Sequence, residues 1–181
     1  MINEKLKKIK LVITDVDGVL TDGLLHYDAN GEAIKSFHVR DGLGVKMLMD
    51  AGIQVAVLSG RDSAILRKRI SDLRIKLFFL GKLEKESACL ELMKQAGVTA
   101  EQTAYIGDDS VDLPAFATCG LSFAVADSAP YVQNAVDYVL AVGGGKGAFR
   151  EMSDMILHAQ GKDEVYTSAK GFLKSVKNMG Q

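Results

Sequence analysis

The sequence predicts an α/β fold: a Rossmann-like, doubly wound parallel sheet with a small β-hairpin flap and no cap domain. Two observations carry the core of this reading. Six short apolar runs rich in Val, Ile and Phe recur along the chain without polar alternation, as strands buried on both faces do. Between them lie segments with apolar residues at three- and four-residue spacing, so strands and helices alternate, which implies a mainly parallel sheet. The flap comes from a third observation, one segment that breaks the rhythm.

In chain order, residues 11–16 (LVITDV) form the first strand. Residues 24–39 then carry two β-like runs around Asp28-Ala29-Asn30-Gly31, which is hairpin-turn chemistry. A helical pattern over 45–51 stops at Gly52, and the second strand follows over 53–59. A helix over 63–73, a strand over 76–80 and a helix over 85–96 that stops at Gly97 come next. Residues 103–107 form a strand, 113–118 a helix, and 121–126 and 137–141 the last two strands. Residues 1–160 read as one core domain. The tail over 161–181, with four Lys against one Asp and one Glu, reads as a short helix on a mobile arm.

A chain of 181 residues has the length of one domain and can bury a core without disulfides or structural metal. Twenty-two Lys and Arg against 23 Asp and Glu give a net charge of -1, which argues against a general nucleic-acid or anionic-membrane binder. Cys89 and Cys119 form no C-x-x-C pair and read as reduced, buried thiols. Residues 1–10 are charged without an apolar signal core, and no run approaches the ~18 apolar residues of a membrane span. A cytoplasmic protein is the simplest expectation.

The chemistry sits at strand ends. Asp15 and Asp17 close the first strand, and their two-residue spacing puts both side chains on one side of an extended chain. A lone D-x-D reads best as solvated turn residues, but further polar groups end the second, third and fourth strands: Ser59-Gly60-Arg61, residues 81–85 with Lys85, and Gly107-Asp108-Asp109 with Asp112. In a parallel sheet these ends converge on one edge, where ligands bind. Gathering Asp15, Asp17 and Asp108 is repulsive unless a divalent cation neutralises them, and oxygen ligands favour Mg²⁺. With Ser59 as a neutral donor and Lys85 as a positive charge, the set describes a phosphoryl-transfer site with a carboxylate nucleophile.

DVDGVLTDG, LSGR, the Lys of GKLEK and GDDSVD resemble the four ordered motifs of the haloacid dehalogenase superfamily of aspartyl-phosphate phosphatases. Through FHVRDGLG, GDDSVDLP, VADS and GGGKGAFRE the chain further resembles the capless subfamily of 3-deoxy-D-manno-octulosonate 8-phosphate phosphatases, over residues 9–161. The resemblance implies that Asp15 attacks phosphorus, and that Asp17 protonates the leaving oxygen and then deprotonates the hydrolytic water. It implies Mg²⁺ held by the Asp15 side chain, the Asp17 backbone carbonyl and the Asp108 side chain, with Asp109 and Asp112 orienting the metal and its waters. Acidic surroundings are expected to keep a proton on Asp17. His38, Val39, Arg40, Asp41, Gly42, Lys46, Arg61 and Arg69 would contact the acidic sugar and Lys85 its phosphate, with Lys46 standing where relatives can have Arg. The family implies a role in lipopolysaccharide precursor biosynthesis and a homotetramer.

Forty-one residues separate Asp17 from Ser59 and twenty-five separate Ser59 from Lys85, too few for an inserted cap. The flap and a neighbouring subunit, through its tail, are therefore expected to complete the pocket and exclude water. Three alternatives stand beside this reading: a nonulosonate 9-phosphate phosphatase, a phosphoacceptor signalling domain and a silent oligomerisation module. Asp17 argues against signalling, which needs a persistent acyl phosphate. The run Gly143 to Gly147 lacks a Ser or Thr after Lys146 and is not a P-loop; it reads equally as a flexible connector or a loop near the pocket. His26 and His158 read as surface residues, and Arg67 and Lys68 as a solvated helix face.

Overall fold

The structure, a computed structural model, describes residues 2–179. Helix α1 (Ile2–Leu6) leads into β1 (Leu11–Thr14), and β2 (His26–Asp28) and β3 (Gly31–Ile34) form the flap. Then come α2 (Val39–Asp50), β4 (Gln54–Leu58), α3 (Ala64–Asp72), β5 (Leu77–Phe79), α4 (Glu86–Ala96) and β6 (Thr103–Gly107). Helix α5 (Leu113–Thr118), β7 (Leu121–Ala124), α6 (Pro130–Gln133), β8 (Tyr138–Val139), α7 (Ala148–Ala159), α8 (Glu164–Thr167) and α9 (Ala169–Met179) complete the chain.

Six strands form one parallel sheet in the order β5-β4-β1-β6-β7-β8. All four residues of β1 are buried, as the unalternated run requires. One face packs Val45 and Leu48 of α2, Leu66 and Ile70 of α3, and Phe149, Met152 and Ile156 of α7. The other packs Cys89 and Leu92 of α4 with Ala115 and Phe116 of α5. The chain runs outward from β1 to β4 and β5 and returns to the other side with β6, so the ends of β1 and β6 lie at the switch point. Both cysteines are buried free thiols.

The sequence expected α2 to begin at 45. It begins at Val39, where His38 Nδ1 caps the helix by accepting from the Arg40 amide at 3.2 Å. Arg40, Asp41, Gly42 and Gly44 in its first six residues mask the helical period. The tail is helical but not a free arm: Tyr166 Oη donates toward the Met47 carbonyl and Asp50 Oδ2, each at 3.0 Å, which docks it on α2. Residues 180 and 181 of the expected tail lie outside the described residues. Among the described residues no helix is long and apolar enough to cross a membrane.

Candidate active site

Asp15 leaves β1 with its amide bonded to the Ile106 carbonyl of β6 at 3.0 Å, which locks its start beside the end of β6, where Asp108 follows. Gly18 takes a positive φ of +86° and a Cβ there would lie 2.0 Å from Asp108 Oδ2, so the turn after Asp17 admits only glycine. One oxygen each from Asp15, Asp108 and Asp112 lie within 4.8 Å of one another.

Lys85 is fully buried at the foot of α4 and reaches across this cluster. Its Nζ lies 3.0 Å from Asp15 Oδ1, 2.6 Å from Asp112 Oδ1 and 3.2 Å from Tyr105 Oη. Burial works to lower its pKa, but the two carboxylates outweigh this and hold it raised. Asp112 has little left to offer a cation. Oδ1 accepts from Lys85 and, at 2.6 Å, from Tyr105, while Oδ2 accepts from the amides of Asp108 at 2.8 Å and Asp109 at 3.2 Å. It therefore orients Lys85 and folds the turn that presents Asp108.

Asp15 and Asp108 remain short of positive charge. Burial and Asp112 push Asp15 up to about 7 against the pull of Lys85. Burial, then Asp15, Asp112 and Asp109, push Asp108 up to about 8. Two carboxylates that resist ionisation beside an already committed lysine fit a hard divalent cation, and their all-oxygen donor set suits Mg²⁺.

Ser59 ends β4, 1% exposed, and its Oγ accepts from the Arg61 amide at 3.1 Å, which turns the chain so that Arg61 Nε stands 3.6 Å from Asp17 Oδ2. The surroundings of Asp17 differ from expectation. They are cationic rather than acidic, because Lys35 of the flap, absent from the sequence reading, ion-pairs with Asp17 Oδ1 while Arg61 faces the other oxygen. Glu32, also missed, pairs with both cations. Asp109 is exposed and accepts from Tyr131 Oη at 3.1 Å, and with Gly18, Asp108 and Asp127 it lines an adjoining cleft of about 390 Å³.

The residues expected to meet the sugar are spread over α2 with its cap His38, the loop after β4 that carries Arg61, and α3. Val39 and Arg40 are exposed, and Lys46 and Arg69 are half-buried. Arg69 stacks over Phe37 at 5.4 Å and fills the space beside Gly42, where a Cβ would meet its Nη2 at 2.5 Å. Asp41 points inward, 3% exposed, and its Oδ1 accepts from the Arg150 amide at 2.9 Å, fastening α2 to the start of α7. The glycine run is a loop at the site: a Cβ on Gly144 would lie 1.9 Å from the Gly18 carbonyl, and the Gly145 amide donates to the Val19 carbonyl at 2.9 Å. His26 and His158 are exposed. Arg67 and Lys68 pair with Asp62 and Asp72 at the surface.

Comparison with known proteins identifies relatives along most of the chain. The haloacid dehalogenase-like hydrolase family matches residues 81–147, from just before Lys85 through Asp108 and Asp112 to the glycine loop. The 3-deoxy-D-manno-octulosonate 8-phosphate phosphatase KdsC of Haemophilus influenzae is 82% identical, over 98% of this chain and 99% of its own. KdsC of Escherichia coli is 42% identical over 87% of this chain and 84% of its own. The cobalt-bound Haemophilus influenzae phosphatase superposes with a TM-score of 0.92, covering 93% of this chain and 99% of its own. The Moraxella catarrhalis phosphatase, solved with magnesium, phosphate and a KDO molecule, is 38% identical and superposes with a TM-score of 0.88, over 91% of this chain and 95% of its own. The chain belongs to the KdsC family of 3-deoxy-D-manno-octulosonate 8-phosphate phosphatases, within the haloacid dehalogenase-like hydrolases.

Proposed function

We propose that the protein hydrolyses 3-deoxy-D-manno-octulosonate 8-phosphate to 3-deoxy-D-manno-octulosonate and phosphate, with Mg²⁺ and through an aspartyl phosphate on Asp15, in lipopolysaccharide precursor biosynthesis. The observation that carries the reaction is the buried Lys85 against Asp15, with Asp108 alongside at the ends of adjacent strands. The substrate is taken from the 82% identical relative.

An Asp15 carboxylate oxygen attacks phosphorus, the bond from phosphorus to the C8 oxygen breaks, and Asp17 gives its proton to that oxygen. Water then attacks the phosphorus of the aspartyl phosphate, Asp17 takes up the water proton, and phosphate departs from a regenerated Asp15. The Asp15 and Asp108 side chains and the Asp17 carbonyl would hold Mg²⁺, which when bound neutralises these carboxylates and the phosphoryl oxygens. Lys85 fixes Asp15 in its attacking rotamer and offers charge to the phosphoryl group, and Ser59 supplies a hydroxyl donor to it. Arg61 and Arg69 suit the sugar carboxylate, with Arg40 and Lys46 on the same rim.

A cytoplasmic homotetramer belongs to this reading, with the flap as the contact. Its Leu24, Leu25 and Ile34 are 62%, 46% and 59% exposed, apolar side chains that a second copy would cover. The function is tested by phosphate release from a panel of sugar phosphates with Mg²⁺. The expected result is a higher kcat/KM for octulosonate 8-phosphate than for nonulosonate 9-phosphates. Equal or higher values for the nonulosonates would reassign the substrate, and stoichiometric phosphorylation without turnover would refute the phosphatase.

A further inference from the structure

We propose that Lys35 is a positioning residue that aims the Asp17 carboxylate at the leaving oxygen, so that the flap completes the acid rather than only covering it. The inference rests on Asp17 acting as that acid. Lys35 follows β3 in a hairpin whose β2 residues are all exposed, yet its side chain is only 2% exposed. Burying an ammonium is costly unless it is paired, and Glu32, three residues earlier with its Oε1 3.0 Å from Nζ, is one partner. The other is Asp17, reached from eighteen residues away.

The contacts close a ring of alternating charge. Lys35 holds Asp17 Oδ1, Arg61 Nε stands 3.6 Å from Asp17 Oδ2, and Arg61 Nη2 returns to Glu32 Oε2 at 3.4 Å. The two cations are unequal. Arg61 Nε is buried without a hydrogen-bond partner, whereas Lys35 donates a hydrogen bond to Asp17. Arg61 is also shared with Tyr27 Oη at 3.0 Å. A carboxylate on the short turn between β1 and Gly18 thus has its rotamer set chiefly by one flap lysine, and general acid catalysis depends steeply on such placement.

The test uses three esters with Mg²⁺: octulosonate 8-phosphate, phenyl phosphate and p-nitrophenyl phosphate. The last two are similar in shape but differ in how much they need an acid, because nitrophenolate leaves unaided. For Lys35→Met, kcat/KM should fall by roughly a hundredfold on the sugar phosphate and by roughly tenfold on phenyl phosphate. It should change less than about threefold on p-nitrophenyl phosphate, and Lys35→Arg should restore most of the loss. Ratios between esters in one preparation do not depend on the folded fraction. An equal loss on both aryl esters, or no loss on any, overturns the proposal and leaves Lys35 as a flap anchor. Asp17→Asn, assayed alongside, separates the two levels. If it also fails to discriminate between the aryl esters, the acid assignment is wrong; if it discriminates and Lys35→Met does not, only the role of Lys35 is wrong.

Discussion

Raising the pH without metal should destabilise this fold, and Mg²⁺ should reverse the effect. Asp15 and Asp108 sit at about 7 and about 8 in the folded chain against an ordinary value of 3.8. The folded state therefore holds protons that the unfolded state has already released, and stability is lost as pH rises through 7 and 8. Between pH 6 and pH 9 linkage gives roughly 1 kcal/mol from Asp15 and roughly 3 from Asp108, on the order of 4 kcal/mol together. For a chain of this length that corresponds to a fall in Tm of roughly 8–16 °C. The assay is thermal unfolding at pH 6 and pH 9, each in chelator and in saturating Mg²⁺. The fall should be seen in chelator and be at least halved in Mg²⁺, because at high pH the cation meets carboxylates that no proton occupies. A metal-free Tm that is the same at both pH values, or a larger Mg²⁺ shift at pH 6, would refute this account of the carboxylate cluster.

Lys85→Met removes the cation shared by two buried carboxylates and should cost roughly 3–5 kcal/mol in urea unfolding as well as abolish turnover; a stability loss under ~1 kcal/mol would mean that the carboxylates had already shed their charge. Leu25→Asp with Ile34→Asp places charge on the exposed face of the flap and should turn a tetramer into smaller species by light scattering, with a raised KM. A wild-type monomer with full activity at the same concentration would remove the flap contact.

How far the sequence could be read follows from which forces leave a pattern. The six sheet strands are legible because burial on both faces excludes polar residues from short runs, and β1 is buried throughout. Asp15, Asp108 and Lys85 are legible because their meeting follows from parallel topology alone. Tyr105 was not. It reads as one more core aromatic of β6, and nothing local says that its hydroxyl shares Asp112 with Lys85. The start of α2 was missed because its polar and glycine residues fit against Arg69 and α7 and leave no helical stripe of apolar residues. Lys35 and Glu32 were missed for a different reason: the flap inverts the usual rule, with Ile34 59% exposed and Lys35 9%.

That inversion has a physical origin. A two-stranded hairpin has no core of its own and is marginal unless something covers one face. Here the inner face meets a site rich in carboxylate and guanidinium, which only charged residues can match, so Glu32 and Lys35 turn inward to Asp17 and Arg61. Leu24, Leu25 and Ile34 are left exposed, with none of the described residues burying them. A flap held inside by ion pairs and outside by a second copy would be ordered only when both contacts form. On the proposed reading, a core too short to carry a cap would then couple assembly to the aim of its acid, and the two flap tests should move together: disrupting the proposed tetramer should lower kcat/KM on phenyl phosphate more than on p-nitrophenyl phosphate, as is expected of Lys35→Met.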